Sequence, residues 1–221
     1  MTPSKKTGIP QLAGLSSESL DLAESFVFMS EPVRLARENA QDRGLDVPSN
    51  GACAALTFLA KTINAKTVVE IGAGPGVTGL ALFAGMEPTG VLTLIDIDAE
   101  WLGESRLAFT EAGVAPHRFR LITGVARNVM LKLSDGAYDM VLVGGDKLEY
   151  GEYVAQAARL LRPGGLLVLA DVLWHNLVAD PRSDDDEAFI IREALQAVQA
   201  DDGFTPLIIP LGDGLLVAVR G

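Results

Sequence analysis

The chain has 221 residues, 48% of them hydrophobic, and a formal net charge of -11; it can bury the core of one domain, and no linker or repeat divides it. The acidic balance argues against nucleic acid or an anionic membrane as partner, since both call for a basic surface, and favours a small-molecule substrate. The single cysteine, Cys53, excludes an internal disulfide, Met1 to Lys6 is not followed by a signal-peptide core, and no apolar run nears the roughly 20 residues that span a bilayer, so a cytoplasmic location is expected.

Residues 1–45 read as an N-terminal helical extension, serving as lid or dimer contact, ahead of a domain spanning 46–221. The first fifteen are polar with two prolines and are expected to be mobile or to lie on a partner. Ser16 and Ser17 precede Glu18 and an apolar-periodic stretch containing Leu20, Leu22, Ala23, Phe26 and Val27, the pattern of a capped helix start. A second helix follows Pro32 and runs to Gly44, a good residue for the position after a helix end. The cluster Phe26-Val27-Phe28-Met29 fits a core more commonly than a subunit contact, and both stay open. Ser49 or Asn50 can cap the next helix, which carries Leu56, Phe58, Leu59 and Ile63.

Thr67 to Ile71 is too short for a helix and reads as a buried strand of a parallel sheet. It runs into Gly72-Ala73-Gly74-Pro75-Gly76 and then the helix start Val77-Thr78-Gly79. The glycines let a ligand approach the backbone, and the free N–H groups of the helix start face the same crevice. Glu70, two residues before Gly72, is a poor neighbour for phosphate; the ligand is expected to be a cation or a neutral polar group. Gly74-x-Gly76-x-x-Gly79 alone matches the dinucleotide fingerprint and is weak. The fuller Glu-Ile-Gly-x-Gly-x-Gly pattern resembles motif I of class I S-adenosylmethionine-dependent methyltransferases.

Strand and helix then alternate: a helix to about Met86, the strand Val91 to Ile95 ending in Asp96, a helix from Ala99 to about Ala112, and the strand Phe119 to Ile122. A helix from about Ala126 to Leu133, the strand Tyr138 to Val143 and a helix from Tyr150 to Leu161 follow. Pro163-Gly164-Gly165 reads as a turn into the strand Leu166 to Ala170. After the acidic loop Asp180 to Glu187, read as solvated, and a helix from Ala188 to Ala200, Thr205 to Ile209 and Leu215 to Val219 are joined so tightly that they must pair antiparallel. The alternation predicts an open α/β sheet with helices on both faces, closed by that C-terminal hairpin.

In such a sheet ligands lie at the carboxyl ends of the strands. Asp96 is placed to accept both hydroxyls of a ribose; Gly124, with Val125 and Ala126, is placed to meet an adenine edge with backbone. Asp146 and Lys147 follow the fourth strand, and Asp171 the fifth.

Several segments together, Ile63-Asn64-Ala65-Lys66, Asp96 after Leu92-Thr93-Leu94-Ile95, Asp146-Lys147 followed by Tyr150, Val172-Leu173-Trp174 and Pro210-Leu211-Gly212-Asp213-Gly214, resemble the catechol and caffeoyl-CoA O-methyltransferase family over about residues 45–221. The resemblance implies a Rossmann-like, mostly parallel sheet of seven strands, S-adenosyl-L-methionine as methyl donor, a small hydroxylated acceptor and a homodimer. It implies cofactor contacts from Glu70, Gly72, Ala73, Gly74, Thr78, Asp96, Ile97, Gly124, Val125 and Asp146, and a catalytic Lys147. Where the family places three divalent-metal ligands, this sequence has Gly144, Ala170 and Asp171, so no metal site is expected and any activity is expected without Mg²⁺. Two other functions stay open: a degenerate S-adenosylmethionine-binding protein without turnover, favoured by Gly144 and Ala170, and an NAD-dependent oxidoreductase, disfavoured by Glu70 and the closing hairpin.

Overall fold

Alternation of buried side chains along short apolar strands organises the molecule, a computed structural model that describes residue 14 and residues 16–221. The expectation for residues 1–13 and 15 lies outside the described residues. Seven strands form one sheet: β1 (Thr67–Ile71), β2 (Val91–Asp96), β3 (Phe119–Thr123), β4 (Tyr138–Val143), β5 (Leu161–Ala170), β6 (Phe204–Ile209) and β7 (Leu215–Arg220), in the order β3-β2-β1-β4-β5-β7-β6. The first five pair parallel, and β7 lies antiparallel between β5 and β6.

The helices are α1 (Ser17–Ser25), α2 (Glu31–Asp42), α3 (Asn50–Thr62), α4 (Val77–Gly85), α5 (Ala99–Glu111), α6 (Ala126–Met130), α7 (Tyr150–Leu160) and α8 (Asp186–Ala200). Because side chains alternate across a strand, Val68, Leu92, Met140 and Leu142 face one core with Leu56, Leu82 and Phe109. Val69, Ile71, Val141 and Val143 face the other, with Met130, Tyr150 and Ile191. Phe109 sets edge contacts to Phe83 at 5.2 Å and to Phe119 at 5.4 Å, a favoured aromatic geometry. The chain leaves β1 outward through β2 and β3, then returns to β4 on the other side of β1, so the strand order reverses between the carboxyl ends of β1 and β4.

Two boundaries differ from the sequence expectation. The strand expected from Leu166 starts at Leu161, and Pro163-Gly164-Gly165 is an irregularity inside it: the β4–β5 register shifts between Tyr138 and Met140, and Gly164 takes φ +75°. The helix expected to reach Leu133 stops at Met130. The N-terminal helices form as expected, with the Ser16 side chain accepting from the Ser19 N–H at 3.3 Å. The core reading of the Phe26 to Met29 cluster fails for three of its four members: Phe26 is 77%, Val27 49% and Phe28 95% exposed, while Met29 packs on the core. Glu24 anchors α1, accepting from the backbone N–H of Gly51 at 2.7 Å and of Gly212 at 2.6 Å. That carboxylate joins the N-terminal extension to the start of α3 and to the β6–β7 turn.

Candidate active site

Glu70 occupies the β1 position next after Val68 on the same face, where alternation calls for an apolar residue. It is 1% exposed. One oxygen accepts from the Thr78 hydroxyl on α4, and Oε2 is buried with no partner among the described residues. Burial pushes its pKa up to about 8; the Thr78 hydrogen bond opposes the rise and the charge of Asp96 adds to it. A buried carboxylate with an unmet acceptor is costly unless something completes it.

The turn above Glu70 depends on missing side chains. Gly72 sits at φ +74°, and a Cβ there would lie 2.5 Å from Gly145 Cα and N. The turn is held from β2: Asp96 accepts from the Gly74 N–H at 3.0 Å and from the Asp98 N–H at 2.9 Å. From α5, the Ser105 hydroxyl donates to the Gly74 carbonyl at 2.7 Å. Asp96 therefore shapes the glycine turn as well as facing the crevice.

These residues line a cavity of about 560 Å³ at the switch point, the size class of small-molecule sites. Glu70, Gly72, Ala73, Gly74, Thr78 and Asp96 are in its wall; Ile97, Gly124, Val125 and Asp146 are not. Ile97 is 74% exposed, and Asp146 caps a 3₁₀ turn, Lys147–Glu149, by accepting from the Leu148 N–H at 3.0 Å. Residues that the sequence did not single out for the site complete the wall, among them Arg37, Asp46 and Ser49. Asp213 joins them; the Pro210 to Gly214 segment was legible as a turn but not as cavity wall.

Lys147 is buried outside the wall. Its ammonium donates to Asp171 Oδ2 at 2.8 Å and lies 5.2 Å from the Tyr150 ring centroid and 5.7 Å from that of Trp174. Asp171 does line the cavity. It has φ +52°, and Trp174, His175 and Asn176 also adopt positive φ; such a cluster of sparsely populated backbone is characteristic of functional sites. The His175 N–H donates at 2.8 Å to each oxygen of Asp213, whose pKa burial raises.

A divalent cation does not fit this corner. It takes several oxygen ligands, whereas Gly144 and Ala170 bring no side-chain donor and Asp171 is already paired with an ammonium. No group of three His, Cys, Asp or Glu side chains among the described residues is placed to hold a metal.

The family profile described as O-methyltransferase matches residues 22–221. A Mycobacterium tuberculosis protein named "Probable O-methyltransferase Rv1220c" is 44% identical over 194 residues, 87% of each chain. Among solved structures, a Corynebacterium glutamicum protein superposes with a TM-score of 0.85 at 31% identity, covering 92% of this chain and 96% of its own. A cofactor-bound structure, Rv0187 from MTB, gives 0.82 at 25% identity, covering 94% and 99%. With its seven-stranded sheet, glycine turn and near-full-length match, the chain belongs to the O-methyltransferase family.

Proposed function

We propose that this protein transfers the methyl group of S-adenosyl-L-methionine to a hydroxyl of a small molecule, without a divalent metal. The observation that carries the reading is Glu70: a fully buried carboxylate with an unmet oxygen, under a glycine turn, in the wall of a cavity that also holds Asp96. A sulfonium amino acid with a ribose offers cationic groups toward Glu70 and hydroxyls toward Asp96. Gly124 and Val125, outside the wall, are assigned in this reading to the adenine edge, and Ile97 and Asp146 to further cofactor contacts.

Bound there, the donor supplies an electrophilic methyl, whose transfer forms an O–CH₃ bond and leaves a neutral thioether. The chain's task is alignment and removal of the acceptor's proton. Asp171 faces the cavity and accepts the hydroxyl hydrogen bond, taking the proton as the methyl moves. Lys147 holds Asp171 in place and supplies, from the protein, positive charge beside the developing oxyanion. The catalytic role that the resemblance implies for Lys147 is, in this reading, a role for the pair. A second reading, binding of the cofactor without turnover, is favoured by Gly144 and Ala170.

The N-terminal extension of residues 1–45 belongs to this reading as a homodimer contact, supported by exposed Leu22, Phe26 and Phe28. A cytoplasmic location belongs to it too, supported by a buried free Cys53; no helix among the described residues is long and apolar enough to cross a membrane. The test is a screen of hydroxylated aromatics with methyl-labelled donor, with and without Mg²⁺ and chelator. Label transfer unaffected by chelator is expected. Transfer that appears only with Mg²⁺ contradicts the metal-free reading, and label bound but never transferred favours the non-catalytic one.

A further inference from the structure

The charged side chains in the cavity wall are unequal in sign: Asp46, Glu70, Asp96, Asp171 and Asp213 against Arg37 alone. Arg37, on α2, makes no salt bridge with any described residue, unlike Arg34 on the same helix, which pairs with Glu31 and Glu38. Its Nη2 donates to the Pro48 carbonyl just before α3, and its Nε is buried without a partner among the described residues. The nearby Glu24 carboxylate does not bond it, being engaged by the Gly51 and Gly212 N–H groups. Arg37 and Glu70 both line this cavity; the buried Cys53 thiol, pushed up by burial, feels both, Arg37 lowering its pKa and Glu70 raising it. A guanidinium anchored through the Pro48 carbonyl, attracted by Glu24 at a distance but not hydrogen-bonded to it, keeps donors available for an anion in the cavity.

From this arrangement we infer that Arg37 is the recognition residue for a carboxylate on the bound ligand, the α-carboxylate of the amino-acid end of the cofactor. The inference rests on the S-adenosylmethionine reading, which places a zwitterionic amino acid in this cavity. An entering carboxylate meets a wall whose other ionisable side chains are all acidic, so its position is dictated by Arg37. With Glu70 taking the ammonium, the two side chains read the two ends of one amino acid. The positive charge also offsets the repulsion that Asp46, Asp171 and Asp213 exert on that anion.

The test uses two ligands that differ in the amino-acid end: S-adenosylhomocysteine, and 5′-methylthioadenosine, which has the nucleoside and thioether but neither carboxylate nor ammonium. Calorimetric affinities are measured for the native chain, Arg37→Gln and Arg37→Lys. Arg37→Gln is expected to weaken S-adenosylhomocysteine roughly tenfold to hundredfold and to leave 5′-methylthioadenosine within twofold, with Arg37→Lys in between. Native-like binding of 5′-methylthioadenosine also certifies that the variant folds. Equal losses for both ligands, or no loss for either, overturn the assignment and leave Arg37 as a brace for Pro48. If the native chain binds neither ligand, the cofactor reading itself fails, an outcome distinct from the other two.

Discussion

Lys147 and Asp171 form an ion pair at 2.8 Å in which the lysine side chain is 9% exposed and the aspartate 37%. The buried cation thus stands behind the carboxylate that faces the cavity, at the corner where the family resemblance leads one to expect a divalent ion. A protein-borne charge is fixed in place and does not depend on added metal.

For that pair, Lys147→Ala is expected to lower turnover by about 10²–10³-fold, the usual range for removing a group that stabilises developing charge, while S-adenosylhomocysteine affinity stays within twofold. Chelator is expected to change neither value. Steady-state rates and calorimetry on one preparation check both; loss of cofactor affinity together with rate would make Lys147 a structural residue.

Glu70 predicts a pH signature. Its folded-state pKa is raised to about 8 from an ordinary 4.5. Below 4.5 both folded and unfolded forms are protonated and its contribution to stability is fully present; between 4.5 and 8 the unfolded chain ionises while the folded one does not, so the contribution is lost as pH rises. The ligand-free protein should melt at progressively lower temperature across that window, and Glu70→Gln should flatten the slope. A cation arriving at Glu70 favours its ionised form, so cofactor binding near neutral pH should release a proton, read as an enthalpy that varies with buffer ionisation heat. A buffer-independent enthalpy places the ammonium elsewhere.

Asp96 does two things, so its variants should separate. Asp96→Ala removes the acceptor for the Gly74 N–H and the group offered to a ribose, and should weaken S-adenosylhomocysteine by about 1–3 kcal/mol. Asp96→Asn keeps one acceptor oxygen for Gly74 and should lose less. Unchanged calorimetric affinity in Asp96→Ala would move the ribose away from this residue.

Much of the fold was legible because short apolar runs punctuated by glycine and proline admit few readings. The Thr67–Ile71 strand, the glycine turn and the C-terminal hairpin follow from residue type and spacing alone. The Pro163–Gly165 segment misled because the same residues that make a turn also make an irregularity within a strand, and only the β4 partner decides between them. Arg37 and Asp213 carry no local signal; they reach the cavity because α2 and the β6–β7 turn pack over it. The direction of Lys147 was likewise unreadable, since it depends on a 3₁₀ turn that swings the side chain behind Asp171.

The N-terminal helices predict assembly. Phe26 and Phe28, between α1 and α2 and 77% and 95% exposed, form an apolar pair that a second copy of the chain would cover. Light scattering at micromolar concentration should give twice the chain mass, and Phe28→Asp should halve it. A monomer in the native chain removes the dimer from the account.

The crevice above Glu70, with its glycine turn and Asp96, is proposed to seat the nucleoside and amino acid of S-adenosylmethionine. Titration of the purified chain with S-adenosylhomocysteine and, separately, with NAD tests it most directly. Saturable one-to-one binding of S-adenosylhomocysteine, weakened in Asp96→Ala, is expected, with no comparable binding of NAD. Tight binding of NAD, or no binding of S-adenosylhomocysteine, would contradict it.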